Sequence, residues 1–263
     1  EVKSKLKLLN SVIIFLLFLM IFVWSVNKIG LNKKNCANID EVYSKFPLIS
    51  SISENNDNFK NYGGLRSRNI FKDEKNSTLV SILTVVKNGE KHLEETIQSV
   101  LSQTYKNIEY IIIDGASTDS SLEIIKKYDD KLDYWISEKD QSLYDGFNKA
   151  IKLARGNLIG IINSDDIYLK EGIKTIVKYY ENNKEIDFIF GSVQKHWGIL
   201  HGYKPYKIFW NWEFYSSHSS GFFITKKASK IVGEYNINYR IHADYDYFYR
   251  MIVKQKLKGI STK

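Results

Sequence analysis

The chain has a single cysteine, Cys36, so no disulfide can close within it, and no Cys/His cluster carries zinc-site spacing. A disulfide-stapled secreted scaffold and a structural zinc module are excluded, and the fold must rest on packing. Neither GxGxxG nor GxxxxGKS/T occurs, so the dinucleotide and P-loop signatures are missing too. No internal repeat is evident. Apolar material is ample: of 263 residues, 43% are hydrophobic and 14% aromatic, enough for one large domain and enough to exclude disorder for most of the chain. The formal charge of +8 and pI near 9.2 resemble a nucleic-acid or anionic-surface signal. Residues 1–75, however, carry 12 Lys and Arg against 7 Asp and Glu, so +5 of the +8 lies there and the remainder is nearly balanced. A nucleic-acid binder needs a basic face, and that balance argues against one.

Residues 6–26 (LKLLNSVIIFLLFLMIFVWSV) include an uninterrupted apolar run from Val12 to Trp24. At about 1.5 Å per residue the stretch matches the roughly 30 Å hydrocarbon core of a bilayer. No small-residue cleavage site follows it, and Trp24 and Lys28 suit an interfacial anchor, so a retained single-pass transmembrane helix is expected rather than a cleaved signal peptide. Lys3, Lys5 and Lys7 on one side balance Lys28, Lys33 and Lys34 on the other, which leaves orientation open. Residues 27–76 read as a polar juxtamembrane linker with local order near residues 62–71. The chain starts at Glu1 and stops at Lys263, and a last domain truncated at its C-terminus is expected from that ending.

From residue 79 the periodicity changes. Residues 79–86 (LVSILTVV) form a short β-branched run, followed by a stretch in which Leu93, Ile97, Val100 and Leu101 share a helical face. A second buried strand is expected at 108–114 (IEYIIID), then a helix over 120–128 that Ser120 and Glu123 would open as a capping box. Residues 134–137 read as a third strand. Leu143, Phe147, Ala150, Ile151 and Ala154 recur at helical spacing before Gly156 and the strand LIGII. Helices alternating with strands that are apolar on both faces imply an α/β fold with a mostly parallel central sheet flanked by helices.

In such a sheet the ligand lies beyond the carboxyl ends of the strands. Three of those ends carry polar clusters: Lys87-Asn88-Gly89-Glu90, Asp114-Gly115-Ala116-Ser117-Thr118-Asp119 and Asn163-Ser164-Asp165-Asp166. Carboxylates gathered at one edge repel unless a cation or a hydrogen-bonding ligand joins them, and a divalent metal is the economical explanation. Each cluster alone is weak evidence; Asp119, for instance, equally suits a plain turn and helix cap.

The pattern SILTVVKNGEKHLEETIQSVLSQTYKNIEYIIIDGASTD, then SEKDQSLYDGFNKAIKLARGNLIGIINSDDIY, then HADYDYFYRM resembles family 2 glycosyltransferases with a GT-A nucleotide-diphospho-sugar transferase fold, over about residues 77–256. The resemblance implies an inverting transfer of a sugar from a nucleotide-diphosphate donor to an acceptor hydroxyl, with Mg²⁺ or Mn²⁺ on the diphosphate. It points to cell-surface glycan or polysaccharide synthesis of the bacterial type. On this basis Asp114 accepts hydrogen bonds from the nucleobase, and Val85, Lys87 and Asn88 line the base and ribose pocket. Glu90, Gly115, Ser117, Asp140, Asn163 and Ser164 complete the donor side. Asn163-Ser164-Asp165 stands at the DxD motif with an amide in place of the first acid, so Asp165, helped by Asp166, would hold the metal. Ser142 stands where the family commonly has glycine.

The base is expected at an ED-like motif opening a helix that ends in Arg250. Ala243 replaces the glutamate, Asp244 is the base candidate, and Asp246 is the alternative on a different helical face. Tyr245, Phe248, Tyr249 and Ile252 read as core. His218 is expected to contact the acceptor or a donor phosphate, with a structural histidine as the rival reading, and His242 as a loop residue without special role. The aromatic stretch over 207–215 is either a lid or acceptor platform, or core. The expected organisation is therefore a transmembrane helix at 6–26, a linker at 27–76 and a glycosyltransferase domain at 77–263. Its nucleotide half is 77–166 and its acceptor half 167–263. The expected partners are a nucleotide-sugar donor, a saccharide or lipid-linked acceptor and the membrane, with no nucleic acid. The domain would face the cytoplasm, or the Golgi lumen in a eukaryote. The missing DxD acid and glutamate leave a rival: a catalytically silent sugar-nucleotide binder or assembly partner.

Overall fold

The computed structural model describes residues 61–72, 77–201, 219–239 and 241–262. The expected transmembrane helix, the linker before residue 61, His218 and the aromatic stretch at 207–215 lie outside the described residues. Among those described, no helix is long and apolar enough to cross a membrane.

After a short strand β1 (Tyr62–Gly63), strand and helix alternate: β2 (Val80–Val86), α1 (Leu93–Leu101), β3 (Ile108–Asp114), α2 (Ser121–Lys127), β4 (Tyr134–Ser137), α3 (Leu143–Leu153), β5 (Leu158–Ile161) and α4 (Gly172–Asn182). Then come β6 (Phe188–Phe190), a hairpin of β7 (Val193–Lys195) and β8 (Gly198–Leu200), β9 (Phe222–Thr225), α5 (Lys226–Val232) and α6 (Ala243–Tyr249). A single π-helical turn at Arg250–Lys254 leads to β10 (Gly259–Ser261). One sheet runs in the order β1-β4-β3-β2-β5-β9-β6-β10. Strands β4, β3, β2 and β5 are parallel, β9 is antiparallel to both its neighbours, and β10 is parallel to β6.

Period-two alternation sorts the strand residues onto two cores. Leu83 and Val85 of β2 pack with Phe147 of α3, Ala228 of α5 and Tyr247 of α6 on one face. Ile82 and Val86 pack with Ile97 of α1, Ile125 of α2 and Ile176 of α4 on the other. Every residue of β2 and β3 is buried, as a sheet covered by helices on both sides requires. Where β5 meets β9 there is room for glycine alone: a Cβ on Gly160 would lie 2.3 Å from the Phe223 ring.

Helix starts show where local chemistry decided the ends. Ser142 Oγ accepts from Asp145 N at 3.2 Å, so the serine that stands where the family commonly has glycine caps α3. Helix α2 is not opened by a capping box, since Ser120 makes no side-chain cap bond. Asp119 does that work, Oδ1 accepting from Ser121 N at 3.0 Å, because its neighbouring carboxylate oxygen is already fixed by Glu90 N at 3.0 Å.

The linker expected to reach residue 76 ends earlier. β1 pairs antiparallel with β4, and Leu65 N and Arg66 N donate to Leu132 O and Asp133 O, each at 2.9 Å. Arg66 then forms a buried ion pair with Glu109 of β3. Residues 61–72, where local order was expected, therefore pack onto the folded domain, with Tyr62–Gly63 covering the edge of β4 and Arg66 pairing the buried Glu109 charge.

Candidate active site

The parallel registers set Val86 beside Asp114 and Asp114 beside Ser137, so the carboxyl ends of β2, β3 and β4 are level. Their following loops are cross-linked. Asn88 N donates to Ser117 Oγ and Thr118 N to Asn88 Oδ1, each at 2.8 Å, and Ser120 N donates to Glu90 Oε2 at 2.9 Å. Asn88 (φ 55°) and Ala116 (φ 57°) both take left-handed backbone, which asparagine tolerates and alanine does not favour. The loop of Gly89 approaches the β5 end closely: a Cβ there would be 3.4 Å from Ser164 Oγ.

Beside these loops lies a cavity of about 500 Å³. Val85 contributes from β2, Tyr144 and Phe147 from α3, Asn163 to Asp166 from the β5 end, Lys195 from β7, and Asp244 and Phe248 from α6. Of the residues singled out in the sequence, Val85, Asn163, Ser164, Asp165, Asp166 and Asp244 line it. Lys87, Asn88, Glu90, Gly115, Ser117 and Asp140 sit in or beside the cross-linked loops at the neighbouring strand ends and are not part of that lining. Asp114 is fully buried, with Oδ2 accepting from Ser137 Oγ at 2.6 Å and from Ser117 N at 3.1 Å, while Ser117 Oγ donates to Oδ1. Its carboxylate holds the 115–119 loop in place.

Asn163 does what an acid at the same place would not. Its Nδ2 donates to Asp166 Oδ2 at 2.9 Å and to Ser219 Oγ at 3.2 Å, and Ser220 Oγ also donates to Asp166 Oδ2. A carboxylate at 163 would repel Asp166 where the amide now bonds it. Asp165 is the exposed acid of the trio. Among the described residues no group of three potential metal ligands is preassembled. Two adjacent carboxylates nevertheless fit a hard cation that takes most of its remaining ligands from phosphates and water.

Asp244 and Asp246 part company as their helical spacing requires. Tyr144 OH donates to Asp244 Oδ1 at 3.4 Å, whereas Asp246 Oδ2 accepts from Arg250 Nε at 2.8 Å. Arg250 also bonds Val232 O and, at 2.7 Å, Glu234 O, tying α6 to the turn after α5. That turn is fixed again by Asn148, whose Nδ2 donates to Tyr235 O at 2.9 Å and whose Oδ1 accepts from Tyr235 N at 2.8 Å. The Tyr235 ring stacks on Tyr247 at 4.3 Å and on Tyr144 at 5.7 Å, a column that ends at Asp244. Burial and the Asp244 charge push the Tyr144 phenol up. On the loop side Lys149 Nζ bonds Asp140 at 2.6 Å and Glu138 at 2.8 Å, and although burial opposes it these bonds hold the ammonium above its ordinary range. Burial pushes the Asp140 carboxyl up against the pull of Lys149.

Tyr144, Tyr235 and Lys195 were missed in the sequence. Tyr144 carried a faint signal, standing two residues after a capping serine on the helix that faces the strand ends. Lys195 carried none.

Residues 81–248 match the family described as Glycosyl transferase family 2. The chain is 35% identical over 142 residues to the uncharacterized glycosyltransferase MJ1057 of Methanocaldococcus jannaschii, covering 51% of this chain and 49% of that protein. It is 36% identical over 107 residues to the Escherichia coli UDP-Glc:alpha-D-GlcNAc-diphosphoundecaprenol beta-1,3-glucosyltransferase WfaP, covering 40% and 43%. The chain thus spans no more than about half of either relative. In structure it resembles Staphylococcus aureus TarS 1-349 in complex with UDP-GlcNAc, with TM-score 0.58 and 17% identity over 70% of this chain and 56% of that one. It also resembles the mannosyltransferase PcManGT of Pyrobaculum calidifontis in complex with GDP-Man and Mn2+, with TM-score 0.56 and 16% identity over 73% and 57%. These likenesses establish the fold, an α/β architecture with a mostly parallel central sheet.

Proposed function

Because the chain belongs to glycosyl transferase family 2, we propose that it moves a sugar from a nucleotide-diphosphate donor to an acceptor hydroxyl with inversion at the anomeric carbon. The acceptor oxygen attacks that carbon as the bond to the diphosphate breaks, its proton passes to Asp244, and a nucleoside diphosphate leaves. The observation that carries this reading is a single cavity lined by Asp165 and Asp166 from a strand end and by Asp244 from a helix start. Asp165 with Asp166 would hold Mg²⁺ or Mn²⁺, which supplies Lewis-acid neutralisation of the leaving diphosphate. The nucleoside would lie toward Val85 and the loops of Lys87, Asn88, Glu90, Gly115, Ser117 and Asp140, with Asp114 setting loop shape from below. Asn163 orients Asp166, and Ser164 borders the Gly89 loop.

The acceptor is taken to be a saccharide, free or lipid-linked; WfaP, by its name, acts on a diphosphoundecaprenol-linked sugar. Membrane attachment through residues 6–26, with the catalytic domain on the cytoplasmic side and a role in cell-surface glycan synthesis, belongs to the same proposal, as does His218 as an acceptor or phosphate contact.

The test is release of nucleoside diphosphate from a panel of UDP-Glc, UDP-GlcNAc and GDP-Man, with and without EDTA. Asp244→Asn is expected to lower turnover about 10²- to 10⁴-fold, the usual worth of a positioned base, while donor binding persists. Asp165→Asn should lower turnover and remove the response to EDTA. Full activity in either variant would remove its assigned role. Binding across the panel with no turnover in the wild type would turn the reading to a silent sugar-nucleotide binder.

A further inference from the structure

Lys195 is a half-buried cation at the end of β7, and it lines the same cavity as Asp165, Asp166 and Asp244. Among the described residues it forms no ion pair, although the cavity holds three carboxylates. An ammonium at the cavity wall that makes no ion pair within the described chain is available to an anionic group entering the cavity.

The sheet order says which substrate brings it. The loops that would take the nucleotide follow β2 and β3, and the acids that would meet its diphosphate follow β5. β7 continues from β6, which is separated from β5 by β9. Lys195 thus reaches the cavity from a hairpin that follows β6, away from the loops after β2 and β3, on the side where an acceptor would enter. Its hairpin partner is Gly198, and between and beside them Trp197 and Ile199 stand 64% and 60% exposed. One hairpin therefore presents a cation to the cavity and two large apolar side chains to the outside, a pattern complementary to an anionic group joined to hydrocarbon.

We infer that Lys195 binds an acceptor phosphate, and that the acceptor is a saccharide carried on a diphosphate-linked hydrocarbon chain rather than a neutral sugar. The inference rests on the transfer reading above. The probes are GlcNAc joined through diphosphate to a short prenyl chain and the neutral octyl glycoside of GlcNAc, titrated into the full chain without donor. Wild type is expected to bind the diphosphate probe at least about tenfold tighter. Lys195→Met should lose roughly tenfold to a hundredfold for that probe alone, the worth of a charged hydrogen bond, with Lys195→Arg regaining most of it. Affinity for the octyl glycoside and for UDP-GlcNAc should stay within about twofold of wild type, the reproducibility of such titrations. Equal loss for both acceptor probes, loss of donor affinity with the acceptor preference intact, or no preference in the wild type would each overturn the assignment. If the chain transfers no sugar, the transfer reading fails by itself, and the two-probe comparison still decides Lys195.

Discussion

Replacing Arg66 by methionine tests whether residues 61–72 are part of the domain. Arg66 and Glu109 are 7% and 1% exposed, and Arg66 Nη1 also donates to Leu153 O at 2.8 Å. Glu109 Oε2 meanwhile accepts from Ser81 Oγ at 2.6 Å and from Arg155 N at 2.8 Å. Methionine fills much of the arginine stem, so packing changes little, but Glu109 keeps a buried charge with only those two bonds. Breaking a buried pair on one side costs about 3–5 kcal/mol, and the orphaned Leu153 carbonyl adds about 1. The sum is a large part of the roughly 5–15 kcal/mol that holds a domain together. With a urea m-value of roughly 2–3 kcal/mol per molar, the midpoint should fall by about 1.5 M or more, read by tryptophan fluorescence on the full chain in one mild detergent. Arg66→Met with Glu109→Gln removes the charge as well and should recover most of the loss. A single-variant midpoint within about 0.3 M of wild type, a small fraction of that shift, would refute the reasoning, as would a double variant no more stable than the single.

Asp133 gives a pH signature on the same side of the sheet. Burial raises its carboxyl to about 6 from an ordinary 3.8, against the hydrogen bond from Tyr110 N. The folded protein therefore keeps a proton that the unfolded chain has released, so stability falls as pH climbs from about 4 to about 6 and levels above, by about 3 kcal/mol for the full shift. Urea midpoints measured across that window should lose this slope in Asp133→Asn; unchanged slopes would contradict the assignment. Asn148→Ala leaves the N–H and C=O of Tyr235 unpaired beneath the tyrosine column, at about 2–4 kcal/mol, and the thermal midpoint should fall by roughly 5–12 °C. A fall under about 2 °C, less than 1 kcal/mol, would mean that water replaces the amide.

Whatever in this fold depends on local period could be read in advance. Leu93, Ile97 and Val100 repeat at helical spacing, so α1 was legible; β2 and β3 were legible as unbroken apolar runs. β1 was not, because two residues next to a Gly-Gly pair carry no pattern, and only the open edge of β4 and the charge of Glu109 explain why they pair. The acids that line the cavity could be picked out for a related reason. Asp165 and Asp244 begin where a strand ends or a helix starts, and that is a sequence position. Tyr144 and Tyr235 are 91 residues apart in the chain, and their stacking, like the Asn148 clamp, exists only after three elements have packed. The Ser120/Glu123 capping pattern was present and unused, since Asp119, already held by the loop after β2, was the better-placed acceptor.

Strand β3 shows why residue type alone could not separate function from support. IEYIIID holds two acids in seven residues, Glu109 and Asp114, and both are buried. Glu109 lies near the amino end and is neutralised by an arginine from an edge segment; no ligand could reach it without unpairing that charge. Asp114 lies at the carboxyl end, level with the ends of β2 and β4, where a sheet of this kind opens toward ligands. Even there its oxygens are engaged by Ser117 and Ser137, so within the folded chain it shapes the loop that follows β3. The cavity is left to acids two strands further along, after β5, at Asp165 and Asp166, where Asn163 supplies a donor to Asp166 beside Asp165. Polar groups at the amino ends thus hold the sheet, those at the central carboxyl ends shape loops, and those at β5 and α6 face the cavity. Position along and across the sheet, rather than the identity of the acid, separates the three.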